Sequence, residues 1–240
     1  MKNAVGEIIL AIETSGRMGS VAIGRGDELL GERRFSGEMK HSSELFECIS
    51  GLLAGCGCGA ADVGEIYVSV GPGSFTGIRI AVTVAKTWVL AREGVRIVAV
   101  DTLDCIAQNA AGFMEAGRVG VIVDAKRGAF FAACYEFREG KLCKLSDDRL
   151  LGAEEFLAEF AGDGGGAGAG EIWLLGEGLV YYKDKFAGPG VRILPEEFWY
   201  PTAGAIFALG RELAKAGLYA DAMGLVPNYL RGADAVVKKF

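Results

Sequence analysis

The feature that most limits what this chain can fold into is an order of elements that occurs twice. Read by hydrophobic periodicity, residues 7–12 form an apolar strand, and 20–24 and 28–35 form a hairpin about Arg25-Gly26-Asp27. Residues 41–54 form an amphipathic helix with Leu45, Phe46, Ile49, Leu52 and Leu53 along one face and Ser42 or Ser43 as its cap. A strand at 65–70, a helix at 75–92 and a strand at 95–100 complete the series βββαβαβ. The rest of the chain repeats it. Strands are expected at 119–123, 129–137 and 141–145, a short helix at 153–161, a strand at 171–175, a helix at 179–186, a strand at 191–194 and a closing helix at 202–217. The glycine-rich stretch GDGGGAGAG, 162–170, reads as a flexible linker. The halves share the order of their elements and no visible sequence.

A duplicated series of this kind predicts two α/β lobes whose similar sheets face a cleft. That is the layout of the actin–hexokinase–Hsp70 (ASKHA) superfamily, in which ATP binds between the lobes. The expected division is an N-terminal lobe, 1–103, and a C-terminal lobe, 104–240, whose last segment can pack back on the first. The formal net charge of −6 argues against a free-standing nucleic-acid binder, which needs a basic face. No apolar run approaches the roughly 20 residues of a membrane span, and the start turns acidic before a secretory core develops, so a cytoplasmic protein is expected. The six cysteines then read as reduced thiols, mostly buried. Cys56-Gly57-Cys58 lacks the spacing of a zinc ribbon, and with His41 the only histidine, no metal site is expected.

Three stretches could hold a nucleotide between the lobes. Glu13-Thr14-Ser15-Gly16 ends the first strand with an acid and small hydroxylated residues. Asp124-Ala125-Lys126-Arg127-Gly128 is its second-lobe counterpart, and Gly176-Glu177-Gly178 could face an adenosine. The first departs from the superfamily pattern in its Glu and its displaced glycine, and the second has no glycine run. The stretch SVGPGSFTGIRIAV, 69–82, sets glycines between a strand and a helix N-terminus, where backbone N–H groups and the helix dipole favour an anion. It is neither a P-loop, because Ile78 follows Gly77, nor a dinucleotide fingerprint, because Thr76 stands where a glycine is required. A strand-to-helix corner capped by Ser74 or Thr76 accounts for the same residue types without a ligand. No catalytic set emerges. His41 is a lone imidazole, and Phe75 after Gly73-Ser74 breaks a nucleophile elbow. The residues describe a kinase-like body with a weakened site, which leaves open a small-molecule kinase or ATPase of the same superfamily.

The decapeptide GPGSFTGIRI, 71–80, resembles the signature of the TsaB (YeaZ) family, bacterial proteins required for threonylcarbamoyladenosine formation on transfer RNA. ILAIETS at 9–15 is similar to the family's opening, with Glu13 for the usual Asp. His41-Ser42, VDTLDCIAQ at 100–108, VDAKRGAFFAACY at 123–135 and PNYLR at 227–231 are similar to further family segments. The resemblance implies a non-catalytic partner of TsaD, the subunit that carries the metal and the transfer chemistry. With the ATPase TsaE it would support threonylcarbamoyl transfer to the adenosine beside the anticodon. It also implies a homodimer when the chain is alone, contact with tRNA only through the partner, and no membrane association. Under this reading no cofactor is held by the chain alone. ADP or ATP would bind only at a composite interface site, with Thr14, Ser15, Gly71, Gly73, Ser74 and Thr76 as the candidates here.

Helix 75–92 is apolar around most of its circumference, with Arg79, Lys86 and Arg92 as its few charges. A helix of that kind is usually covered on two sides. One side must lie on the sheet, and the other is expected to meet a partner through Ala81, Val84, Ala85 and Trp88, with Phe46 and Ile49 from helix 41–54.

Overall fold

The computed structural model describes residues 7–37, 41–161 and 170–230. The expected linker up to residue 169, the His41 and Ser42 side chains and Arg231 lie outside the described residues.

Five strands form the first sheet: β1 (Ile8–Glu13), β2 (Ser20–Arg25), β3 (Glu28–Arg34), β4 (Val63–Gly71) and β5 (Arg96–Asp101), in the order β3-β2-β1-β4-β5. β1 runs antiparallel to β2 and parallel to β4, which in turn is parallel to β5. The second sheet holds β6 (Gly117–Asp124), β7 (Phe130–Arg138), β8 (Lys141–Lys144), β10 (Ile172–Leu175) and β11 (Val191–Ile193), in the order β11-β10-β6-β7-β8. β9 (Arg149–Leu151) continues the β8 edge along the start of β7. Taken from the other end, the second sheet has the same topology as the first: third, second, first, fourth, fifth. The duplicated ASKHA-type α/β fold is therefore present.

The two middle strands of the first sheet, β1 and β4, are buried at every position, and this is why they read as unbroken apolar runs. Alternation along β1 sends its side chains to two different cores. Leu10 and Ile12 pack beneath α1 (His41–Gly55) and α2 (Phe75–Ala91), against Leu45, Ile49, Ile78, Ala81 and Ala85. Ile9 and Ala11 face the opposite layer, where Ile206 and Phe207 of α6 (Ala203–Lys215) pack on Tyr67. The last helix thus covers the first sheet, although it follows the second in the chain.

One α-helix and one strand among the described residues were not expected from the sequence. α3 (Thr102–Asn109) starts directly after β5, whose last residue, Asp101, is also the helix N-cap. Its Leu103 and Ile106 enter the second core while Cys105 enters the layer under α6, so this short helix bridges the two sheets. β9 has three residues, too few for a periodic signal. The helix expected at 179–186 is α5 (Leu179–Tyr182) followed by a 3-10 turn at Lys183–Phe186, and α4 spans Ala153–Phe160. Polar contacts add to the bridge. The Lys144 ammonium lies 2.7 Å from Asp104 and 2.6 Å from Asp148, and the Tyr135 hydroxyl donates to Asp104 at 2.7 Å.

Candidate functional site

The cleft begins at the end of β1. Glu13 is fully buried, and its Oε1 accepts hydrogen bonds from the Ser15 N–H at 2.5 Å, the Ser15 hydroxyl at 2.6 Å and the Gly16 N–H at 3.3 Å. Those are the donors that the sequence offered to a phosphate, and the chain's own carboxylate holds them. Burial pushes the Glu13 carboxyl above its ordinary value, and the hydrogen bonds from Ser15 and Gly16 oppose this only in part. Its Oε2 is buried and has no hydrogen-bond partner among the described residues.

Thr14 and Ser15 are tied to the loop 71–77 by backbone contact. The Thr14 hydroxyl donates to the Gly77 carbonyl at 2.7 Å, and the Ser74 N–H donates to the Ser15 carbonyl at 2.7 Å. A Cβ on Gly77 would stand 1.8 Å from the Thr14 carbonyl oxygen, and one on Gly73 would stand 2.6 Å from that of Ser15. These two glycines are needed because two backbone loops cross at contact distance. Ser74 caps α2, its hydroxyl accepting the Gly77 N–H at 3.2 Å. Gly71, at φ +112, faces the Asn228 carbonyl, while the Asn228 N–H donates to Val70 at 2.7 Å. The structure therefore brings Thr14, Ser15, Gly71, Gly73 and Ser74 together as a packed corner. Thr76 stands apart from them, exposed on the first turn of α2.

The second lobe repeats this self-satisfaction. Asp124 at the end of β6 accepts the Lys126 N–H at 2.8 Å and lies 2.7 Å from the Lys126 ammonium. Lys126, Arg127 and Gly128 all have positive φ, a tight left-handed turn that folds the lysine back onto its acid. A Cβ on Gly176 would lie 2.2 Å from the Ile122 carbonyl, and the Gly178 N–H donates to that same oxygen at 3.0 Å, so this glycine pair seats its loop on β6. Across the mouth, the Arg17 guanidinium donates to the Tyr181 hydroxyl at 2.7 Å, and the Arg17 N–H donates to Glu177 at 3.4 Å. A recess of about 40 Å³ beside it, lined by Met18, Gly19, Ser20, Arg34, Tyr200 and Pro201, is far smaller than the roughly 300–1,000 Å³ of small-molecule sites. This donor set does not fit a nucleotide phosphate. Among the described residues no group of three His, Cys, Asp or Glu side chains could hold a metal ion.

A family model described as TsaD, tRNA N6-adenosine threonylcarbamoyltransferase, matches residues 36–166. The tRNA threonylcarbamoyladenosine biosynthesis protein TsaB of Bacillus subtilis (strain 168) is 30% identical over 233 residues, 96% of this chain and 96% of the relative. The chain belongs to the TsaB family. The TsaB protein of Escherichia coli (strain K12) is 27% identical over 93% of this chain and 94% of its own. Among solved structures, a Pseudomonas aeruginosa protein with similarity to peptidase YEAZ superposes with a TM-score of 0.78 at 25% identity, over 94% of this chain and all of that one. YeaZ from the same organism, at 24% identity and a TM-score of 0.78, shares the fold over 93% of this chain and all of its own.

Against this family background, the helix pair α1–α2 needs a correction. Ile49, Ala81 and Ala85 have almost no exposed surface, and Val84 very little, so they are core residues under the sheet and not contact residues for a partner. Trp88 is half-buried against the same core. Phe46 is 61% exposed and so is Leu90, at 73%, which belongs to the apolar circumference of the helix but not to the residues expected at the partner face. The second side of α2 is covered in part by the chain itself. Ala220, Ala222 and Leu225 pack into its core, the Lys86 ammonium donates to the Met223 carbonyl at 3.2 Å, and Arg79 donates to the Tyr229 hydroxyl at 2.9 Å. Phe75 and Tyr229 stack with ring centres 5.1 Å apart, and the Arg79 guanidinium lies 3.7 Å from the Phe75 ring centre. The expectation that the last segment packs back on the first lobe and the resemblance of PNYLR to a family segment both pointed to this strap.

Proposed function

We propose that this chain is a non-catalytic accessory subunit in tRNA threonylcarbamoyladenosine biosynthesis. It binds a TsaD-like transferase and, with a TsaE-like ATPase, supports threonylcarbamoyl transfer to the adenosine beside the anticodon. It forms a homodimer when alone, works in the cytoplasm, and meets tRNA through its partner. The observation that carries the reading is the occupation of the Ser15 and Gly16 amides by the Glu13 carboxylate, with Asp124 held by Lys126 in the other lobe. Phosphate-holding elements engaged in this way support a scaffold and weigh against a self-sufficient kinase. Nucleotide, where it binds, would then be held at a surface shared with the partner, and of the six candidates Thr76 has the exposure to reach it. The docking face is the outer side of α1–α2, with Phe46, Trp88 and Leu90. The lobes divide near residue 103.

The deciding experiment is reconstitution of modified tRNA from the organism's TsaD, TsaE and threonylcarbamoyl-adenylate source, with and without this chain. Modification that depends on the chain, together with no ATP turnover by the chain alone, is expected. Full modification in its absence, or brisk turnover by the isolated chain, would overturn the reading.

A further inference from the structure

The C-terminus of α1 carries two thiols that the reading above does not use. The helix ends in a Schellman motif: the Cys58 N–H donates to the Leu53 carbonyl at 2.9 Å and the Gly57 N–H to the Ala54 carbonyl at 3.0 Å. Gly57, at φ +66, is the left-handed residue that this motif requires. Such a residue turns the backbone as tightly as a helical one, which sets the flanking Cα atoms about 5.5 Å apart, within the roughly 4.4–6.8 Å that a disulfide spans. Cys56 and Cys58 are both free and half-buried, and both pack against one apolar cluster. The Cys58 sulfur lies 3.3 Å from the Cys56 carbonyl. From β2, the Arg25 guanidinium donates to the Cys58 sulfur at 3.5 Å, while its buried Nε has no hydrogen-bond partner among the described residues. Cys105 and Cys134, by contrast, are buried thiols pushed up by desolvation, Cys134 to about 11.

We propose that Cys56 and Cys58 are a redox-active dithiol, converted to an intramolecular disulfide by a low-molecular-weight disulfide such as oxidised glutathione. One cysteine thiolate attacks a sulfur of the oxidant and expels one glutathione thiolate, which takes up a proton. The second cysteine thiolate then attacks the cysteinyl sulfur of the mixed disulfide. The S–S bond forms between residues 56 and 58, and a second glutathione leaves. The protein loses two protons and two electrons, and the oxidant gains them. The guanidinium beside Cys58 stabilises the negative charge that develops on sulfur in both steps. Among the described residues no third His, Cys, Asp or Glu side chain joins the two thiols in a metal-binding group.

The test is exposure of the folded full-length chain to oxidised glutathione, followed by alkylation and mass mapping. The expected product is lighter by two hydrogens, with Cys56 and Cys58 linked and the other thiols alkylated. Cys56→Ser and Cys58→Ser should instead accumulate one stable glutathione adduct on the remaining thiol, and Arg25→Gln should slow disulfide formation about tenfold. Alkylation of both cysteines after oxidation, or separate adducts on each in the unsubstituted chain, would overturn the proposal. An unchanged rate in a folded Arg25→Gln chain would overturn the part assigned to the guanidinium.

Discussion

At Gly77 a single hydrogen separates two loops. Because a Cβ there would come within 1.8 Å of the Thr14 carbonyl, Gly77→Ala must push the 71–77 corner off Thr14 and Ser15. A loss of about 2–4 kcal/mol in urea unfolding is expected. Gly55, the last residue of α1, would meet nothing within 4 Å, so Gly55→Ala should gain up to about 1 kcal/mol. Equal effects in the two variants would remove the close-approach argument. Glu13 makes a prediction of opposite character. Its folded carboxyl titrates above the ordinary value of 4.5, so between those two values the folded state holds a proton that the unfolded chain has lost. Its contribution to stability is therefore complete below about pH 4.5 and is lost as pH rises through the folded value. Gln carries no such titration. The melting temperature of Glu13→Gln relative to the unsubstituted chain should rise with pH from about 4.5 upward and then level off, whatever its absolute offset. A constant difference from pH 4 to 8 in thermal melts would show that Glu13 is not buried as the structure has it.

Periodicity made most elements legible, and it failed where burial was decided by something other than period. β1 and β4 are covered on both faces, so their unbroken apolar runs could be read directly. α3 escaped because its N-cap, Asp101, is also the last residue of β5, and its apolar residues serve two cores at once. α2 shows a subtler failure. An apolar circumference does call for a second cover, but part of that cover is the chain's own segment 220–229, which has no periodicity to announce it. Ala81 and Ala85 were therefore placed at a partner surface when they serve the core. Leu225 anchors the strap, being buried in the α1–α2 core. Leu225→Ala should cost about 2–3 kcal/mol and release the strap from α2. Limited proteolysis followed by mass mapping should show new cleavage between residues 218 and 230. Cleavage no faster than in the unsubstituted chain would mean that the strap is held by its polar contacts alone.

For the molecule as a whole, the repeated sheet topology supplies an acid at the end of each lobe's first strand and then engages both locally, and the two halves do this by different means. In the first lobe the acid takes the backbone donors; in the second a lysine takes the acid. The cleft was half legible for that reason: residue types show which donors and acids stand at the strand ends, whereas the hydrogen bonds that engage them depend on side-chain reach. If the cleft is inert, the working surface is to be sought among side chains whose exposure the fold does not require. Phe46 is the strongest such case, one position along α1 from the fully buried Leu45 and yet 61% exposed. Because the fold makes little use of it, Phe46→Glu should leave the melting temperature within a degree or two and, under the proposed function, weaken binding to a TsaD-like partner by more than about tenfold, as expected of an aromatic anchor buried in the complex. Titration calorimetry against the organism's TsaD, with light scattering on the isolated chain, checks both halves of that statement. Undiminished TsaD affinity in the folded variant would move the docking face away from α1, and the exposed ring of Phe46 would then need another explanation.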